Sequence, residues 1–291
     1  MTAGFFAQVI VSGLMLGAIY ALIAQGYNIV FGATGGISFA QGEYLTLSGF
    51  TSISLASIGV PLPIAVVAAI ALATLVSVVL ERATIHPVIA RGAMAIGIVT
   101  IGQQIALQTT ELTIWGYGSQ SLPPFTDIPP LRMFGAVVQP QTFWVFGGTA
   151  LVFVFLRVFY TRTWLGRSML ACSEDREAAA SLGINPGLVV LAAFALSGLA
   201  GGVAGVLIAP IVAVYFQSGI EWALKGMAAA ILGGLGNPTG AIVGGFGLGV
   251  VEALASAFLP GGVQSTVPLG LLLLVLMFRP SGLLGRRAVA L

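Results

Sequence analysis

The sequence predicts an all-α fold: a polytopic transmembrane bundle of about eight spans, with broken or re-entrant helices among them. Three observations carry this. Hydrophobic residues make up 58% of the 291 residues and charged residues only 7%, where soluble domains carry about 25% charged residues. The mean hydropathy is +1.05, more apolar surface than a water-soluble fold of this length can hide. Apolar segments of the length that crosses a bilayer, about 20 residues, follow one another along the whole chain. The 40 glycines suit the same solvent, because glycine lets transmembrane helices pack closely.

Taken in order, the first span is 9–31. Its N-terminal flank lacks positive charge, so it reads as a retained span and not as a cleaved leader. A glycine-rich break, "GATGGISFAQGE" (32–43), leads into the second span, 37–57. Spans at 62–81 and 93–115 follow, then a proline-rich loop, "SLPPFTDIPP" (121–130). The fifth span, 141–160, is followed by the longest polar connection, 161–187, and by spans at 188–209, 238–258 and 262–278. The apolar stretch 225–236 is too short to cross comfortably. It is expected to be a half-helix or short span that turns back at Gly236-Asn237-Pro238, a break tolerated where it is buried in protein or lines a cavity.

Arginine sets the orientation. Arg82 and Arg91 share one connection, Arg157, Arg162, Arg167 and Arg176 another, and Arg279, Arg286 and Arg287 the C-terminus. The spans between them place all three on one side, which is expected to be cytoplasmic. The N-terminus is then external and the C-terminus cytoplasmic, in a multi-pass protein of a bacterial inner membrane.

Four consecutive charges, Glu174, Asp175, Arg176 and Glu177, stand out in so apolar a chain. In hydrocarbon they would cost on the order of 10 kcal/mol, at about 2.5–3.5 each; in the 161–187 loop they cost nothing. A short helix is expected there. Ser173 is the expected N-cap, acidic residues suit the first turn, Ala178, Ala179 and Ala180 form a slim body, and Gly183 is the stop. An ordinary solvated loop is the alternative reading of the same residues.

Several classes of chemistry find no support. The lone Cys172 and lone His86 exclude a cysteine or multi-histidine metal site within the chain. No Ser/His pair or zinc-ligand cluster suggests an intramembrane enzyme, so no catalytic residue, metal or cofactor is expected, and no nucleic acid; the surrounding partner is lipid. Lys225 lies in "EWALKGM", which is no phosphate loop, so ATP, if used, is hydrolysed by other chains.

The spacing of "EAAASLG" (177–183) resembles the cytoplasmic EAA loop of ABC importer permeases. That loop forms the coupling helix that docks on the ATPase. With "GLMLGAIYALIAQGYNIVFGATGGISFAQGE" (13–43), "AAILGGLGNPTGAIVGG" (229–245) and "RPSGLLGR" (279–286), nearly the whole chain resembles permeases of the high-affinity branched-chain amino acid ABC transporter family. The resemblance implies one transmembrane permease domain over 1–291, with 161–187 as its cytoplasmic coupling loop. It implies two cytoplasmic ATPase subunits, a second related permease and an external, periplasmic solute-binding protein. Glu174, Asp175, Arg176, Glu177, Ala178, Ala179 and Gly183 are the expected coupling residues. The lack of a long N-terminal extension is closer to the shorter permease of the pair.

Gln41 stands where family members often carry histidine, and the family is thought to carry urea, short amides and aromatic acids besides amino acids, so those substrates remain alternatives. So does an ATP-independent secondary transporter or channel with Glu43 or Glu252 as the coupling carboxylate. Ser38, Gln41, Glu43, Gln103, Gln104 and Asn237 are the candidate pathway residues, since polar groups at membrane depth are functional candidates; helix bridging is the competing use of the glutamines. Glu252 is expected to pair with Lys225 or Gln264 or to stay protonated, and Glu111, near Trp115 and Tyr117, to lie at the interface. Glycine pairs four apart (13/17, 201/205, 240/244, 245/249) are expected to pack helices together.

Overall fold

The computed structural model describes residues 3–133, 135–259, 266–279 and 281–285. Among these the helices are α1 (Ala3–Thr34), α2 (Gln41–Ser57), α3 (Leu62–Leu80), α4 (Ala93–Trp115), α5 (Pro140–Arg162), α6 (Trp164–Glu174), α7 (Arg176–Ser181), α8 (Pro186–Ile208), α9 (Ser218–Gly233), α10 (Pro238–Phe258) and α11 (Val267–Phe278). A π turn, Glu81–Ile85, prolongs α3, and one short antiparallel hairpin joins β1 (Leu131–Met133) to β2 (Ala136–Val138) before α5. The all-α bundle is therefore found. Among the described residues five segments have the length and composition to cross a membrane: Gly4–Thr34, Leu62–Ile85, Pro140–Arg162, Pro186–Ile208 and Pro238–Phe258. The helices α2, α9 and α11 are shorter, at 17, 16 and 12 residues.

Two helix starts use one device. Asn185 and Asn237 each accept two backbone N–H bonds of the following turn, and a proline takes the first helical position, where its missing N–H costs nothing. The centre of the bundle is α1. It is apolar all round, and its residues from Gly17 to Val30 are buried, as expected of a helix enclosed by others. It packs on α10, α8 and α9.

Glycine makes these contacts close. The α1 face of Gly13 and Gly17 lies on the α10 face of Val250, Phe246 and Gly249, with the chains antiparallel. Gly240 and Gly244 of α10 lie on Gly233 and Ala229 of α9, and Gly201 and Gly205 of α8 on Tyr44 and Leu45 of α2. In lipid such van der Waals contact, with interhelical hydrogen bonds, replaces the hydrophobic drive that holds soluble cores.

The helices α2 and α8 run side by side in the same direction. Gln41 meets Ser197 and Ser48 donates to the Gly202 carbonyl at 2.9 Å. Because Ser197 lies mid-way along α8, α2 starts inside the bundle, not at its surface. The irregular segment 35–40 that leads to it is held by α4: the Phe39 N–H donates to Thr100 Oγ1 at 3.1 Å. Unpaired backbone at membrane depth needs such partners.

Candidate functional site

The charged run of the 161–187 connection forms two helices, not one. The first, α6, is capped by Thr163, whose hydroxyl accepts from the Gly166 N–H at 3.0 Å. The expected cap Ser173 lies within α6 and donates to the Leu170 carbonyl. The cap of α7 is Asp175, whose Oδ1 accepts from the backbone N–H groups of Glu177 at 3.0 Å and Ala178 at 2.9 Å. A carboxylate satisfies the same orphan donors as a hydroxyl and adds a favourable charge at the dipole's positive end. It therefore wins from two residues further on. Gly183, at φ +85°, ends α7, and the Ile184 N–H reaches back to the Ala179 carbonyl at 3.1 Å, a Schellman closure.

This short helix is a projection. Ala179 is buried against the bundle, while Glu177, Ala178 and Ser181 face outward. At its tip Leu182 is 83% exposed, an apolar residue with no covering neighbour that sequence reasoning passed over. Beside the projection is a cleft of about 690 Å³. Its walls are the end of α1 from Phe31, the α6–α7 junction, and the α9–α10 turn from Leu235 to Pro238.

That turn is clamped by protein groups. Asn28 of α1 donates to the Asn237 carbonyl at 2.9 Å and accepts from the Gly236 N–H at 3.1 Å. The Asn237 side chain caps α10 and donates to the Leu284 carbonyl at 2.8 Å. Leu283 and Leu284 in turn bond to the last carbonyls of α9. So the break expected at 236–238 is present, as a turn between a 16-residue helix and a full span. Nothing in the local sequence pointed to Asn28, 208 residues away.

A polar seam runs where α2 begins. Gln41 donates to the Ser197 carbonyl at 3.2 Å and accepts from the Ser197 hydroxyl. Glu43, in the first turn of α2, is fully buried, and its carboxylate oxygens have no hydrogen-bond partner. It packs against Gly219, where an added Cβ would lie 2.5 Å from Oε2. Gly219 is in the first turn of α9, so the carboxylate sits between the positive ends of two helix dipoles. Ser38 Oγ is likewise buried and unbonded.

The glutamines of α4 point elsewhere. Gln103 donates to Thr84 Oγ1 at 2.5 Å and to the Leu80 carbonyl at 3.3 Å, tying α4 to the end of α3; Gln104 is half-buried on the neighbouring face. Ser38, Gln41 and Glu43 thus share one seam, while Gln103 and Asn237 lie at two other junctions. Glu111, one turn before the end of α4, is fully buried, and its carboxylate oxygens have no hydrogen-bond partner.

Glu252 takes the first of its expected partners. It lies 2.6 Å from Lys225 Nζ and accepts from Tyr20 OH at 2.6 Å. The ammonium also stands over the rings of Tyr20 and Trp222, at 5.7 and 5.6 Å. The other candidate, Gln264, lies outside the described residues. Among the described residues no group of three or more His, Cys, Asp or Glu side chains is placed to hold a metal ion.

Comparison with known proteins bears on what this arrangement serves. The family described as branched-chain amino acid transport system, permease component, matches residues 9–276. The high-affinity branched-chain amino acid transport system permease protein LivH of Salmonella typhimurium is 33% identical over 299 residues, covering 98% of this chain and 97% of the relative. The corresponding BraD of Pseudomonas aeruginosa is 33% identical over 301 residues, with the same coverage. LivM of Escherichia coli, a permease protein of the same system, is 27% identical over 304 residues, 91% of this chain but 68% of the relative.

Proposed function

The chain belongs to the branched-chain amino acid transport permease family, and from that premise we propose that it is the membrane-spanning subunit of an ATP-driven importer. Its cargo is branched-chain or related amino acids. The observation that carries this is the full-length match to such permeases, together with a capped helix projecting from the arginine-rich end of the bundle. In this reading two ATPase subunits bind at that end, a second related permease completes the pathway, and a solute-binding protein delivers substrate to the opposite face. Identity of 33% to LivH against 27% to LivM supports the role of the LivH-type permease.

The coupling face is Glu174, Asp175, Arg176, Glu177, Ala178, Ala179 and Gly183, with Leu182 as its apolar anchor. A slim, charged helix with one protruding leucine suits a groove that has an apolar floor and a polar rim. When the ATPases close, α7 moves with them. Its C-terminal stop, through Asn185-Pro186, passes the movement to α8, and α8 grips α2 through Ser197 and Gln41. Ser38, Gln41 and Glu43 then form a polar seam sealed between helices in this state and opened toward the route as α2 and α9 part. Gln103, Gln104 and Asn237 line the flanking junctions.

Gly183 tests the coupling. A Cβ there meets nothing within 4 Å, so Gly183→Trp projects its ring outward from the knob and strains the left-handed residue by about 1–2 kcal/mol. In reconstituted complexes the variant should remain in the membrane, hydrolyse ATP and take up several-fold less amino acid per ATP. Wild-type uptake by Gly183→Trp would remove α7 from the coupling path.

A further inference from the structure

One face of α9 carries two charges that the coupling path does not use. Glu221 and Lys225 are four residues apart, so they share a face and are separated by about 6 Å along the axis. Both border a cleft of about 240 Å³ between α1, α9, α10 and the segment that precedes α9. Glu221 is exposed, and the Lys225 side chain is 26% exposed. Charges at membrane depth face a protein interior or a watery cavity, not lipid. This cleft therefore belongs to a wetted surface of the bundle, toward the end away from the arginine-rich connections.

Its chemistry is bipolar. The Lys225 ammonium has three donors; Glu252 takes one, and the aromatic faces of Tyr20 and Trp222 flank the cation. The donors that remain border the cleft. Glu221 carries the opposite charge one turn away and accepts a hydrogen bond from Tyr215. Leu16 and Val212 supply an apolar wall between them. A cation, an anion about one helical turn apart and an apolar wall complement an α-amino acid: carboxylate, ammonium and apolar side chain.

We propose that this cleft is a transit subsite for a zwitterionic amino acid with an apolar side chain, with Lys225 receiving the carboxylate and Glu221 the ammonium. The proposal rests on the importer reading and adds to it the group that each end of the substrate meets. It also sets selectivity by charge. A substrate lacking the carboxylate leaves the Lys225 donors that Glu252 does not take without an acceptor, and one with a second negative charge meets Glu221.

The test uses the reconstituted complex with its binding protein, scored as radiolabelled leucine taken up per ATP hydrolysed. Lys225→Met and Glu221→Gln should each lower that ratio about tenfold, the effect of losing one charged hydrogen bond. The exchange Lys225→Glu with Glu252→Lys keeps an ion pair inside the bundle but withdraws the cation from α9, and it should not restore the ratio. Recovery in the exchange variant would make the pair a strut and overturn the subsite. Among the described residues the Glu221 carboxylate bonds to Tyr215 in the preceding segment, so Glu221→Gln decides the matter even if the lysine variants fail to assemble: a wild-type ratio there overturns the proposal. A wild-type complex that takes up no amino acid at all, while hydrolysing ATP in response to another loaded binding protein, would instead sink the importer reading for this substrate class.

Discussion

Ser197 is one hydroxyl in a run of small residues, yet it meets both ends of the Gln41 amide. Ser197→Ala leaves the Gln41 carbonyl buried without a donor. Interhelical hydrogen bonds in membranes average about 0.6 kcal/mol and reach about 1.7. The variant should unfold at a measurably lower temperature in detergent, and an unchanged midpoint would show that the bond carries no stability. The contact also marks a limit of reading along the chain. Gln41 was visible as a polar residue at membrane depth, but its partner lies 156 positions away in "ALSGLAGG", where a serine reads as one more small packing residue. Glu252 and Lys225 were easier to match, because the chain has one lysine and the apolar surroundings of each demand a counter-charge. The burial of Glu111 was not legible for the converse reason: Trp115 and Tyr117 mark an interface along the sequence, while the direction a helix turns its i, i+4 neighbours is set by packing alone.

At the level of elements, periodicity and length located most spans to within a few residues, because a bilayer fixes helix length by its thickness. The departures were where hydrogen bonds, not hydropathy, choose the end. Asp175 displaced Ser173 as a cap, so the expected helix starts two residues later, as α7, and Ser173 falls in the last turn of α6, a helix the sequence reading did not expect. The start of α9 lies at Ser218, ahead of the apolar stretch, because the Glu221 and Lys225 that break the hydropathy belong to the helix. Glycine function was legible as pattern but not as degree. A Cβ on Gly205 would lie 2.0 Å from the Leu45 carbonyl oxygen, whereas one on Gly247 meets nothing within 4 Å. Gly205→Ala must therefore push α2 from α8, at a typical overpacking cost of about 1–3 kcal/mol. Gly247→Ala should be neutral or stabilising by up to about 1 kcal/mol, since alanine is the better helix former. Thermal midpoints of the two purified variants should fall on opposite sides of, or at least well apart around, the wild-type value; equal shifts would show that α2 and α8 do not touch as described.

Among the described residues every arginine but Arg132 lies toward one end of the molecule, and the structure brings their connections together there. His86, between Arg82 and Arg91, lies beside Gly187 at the start of α8: a Cβ on Gly187 would be 3.4 Å from the imidazole. The segment after Arg279 returns to the α9–α10 turn through Asn237 and Leu284, and the cleft beside α7 joins that turn to the end of α1. Near a membrane surface rich in anionic lipid each such cation is stabilised by about 1 kcal/mol, and the bias of short basic loops sets orientation during insertion. Several arginines acting together outweigh Lys225, which is neutralised by Glu252 inside the bundle. In a Cys172→Ser background, Ser181→Cys on α7 and Asp127→Cys in the proline-rich loop place thiols at exposed positions on opposite ends. A membrane-impermeant maleimide added to intact cells should label Asp127→Cys and reach Ser181→Cys only after the cells are opened. Labelling of Ser181→Cys from outside would put the projecting helix on the wrong side of the membrane for any ATPase, and neither the coupling path nor a substrate route running from the Lys225 cleft inward would survive that result.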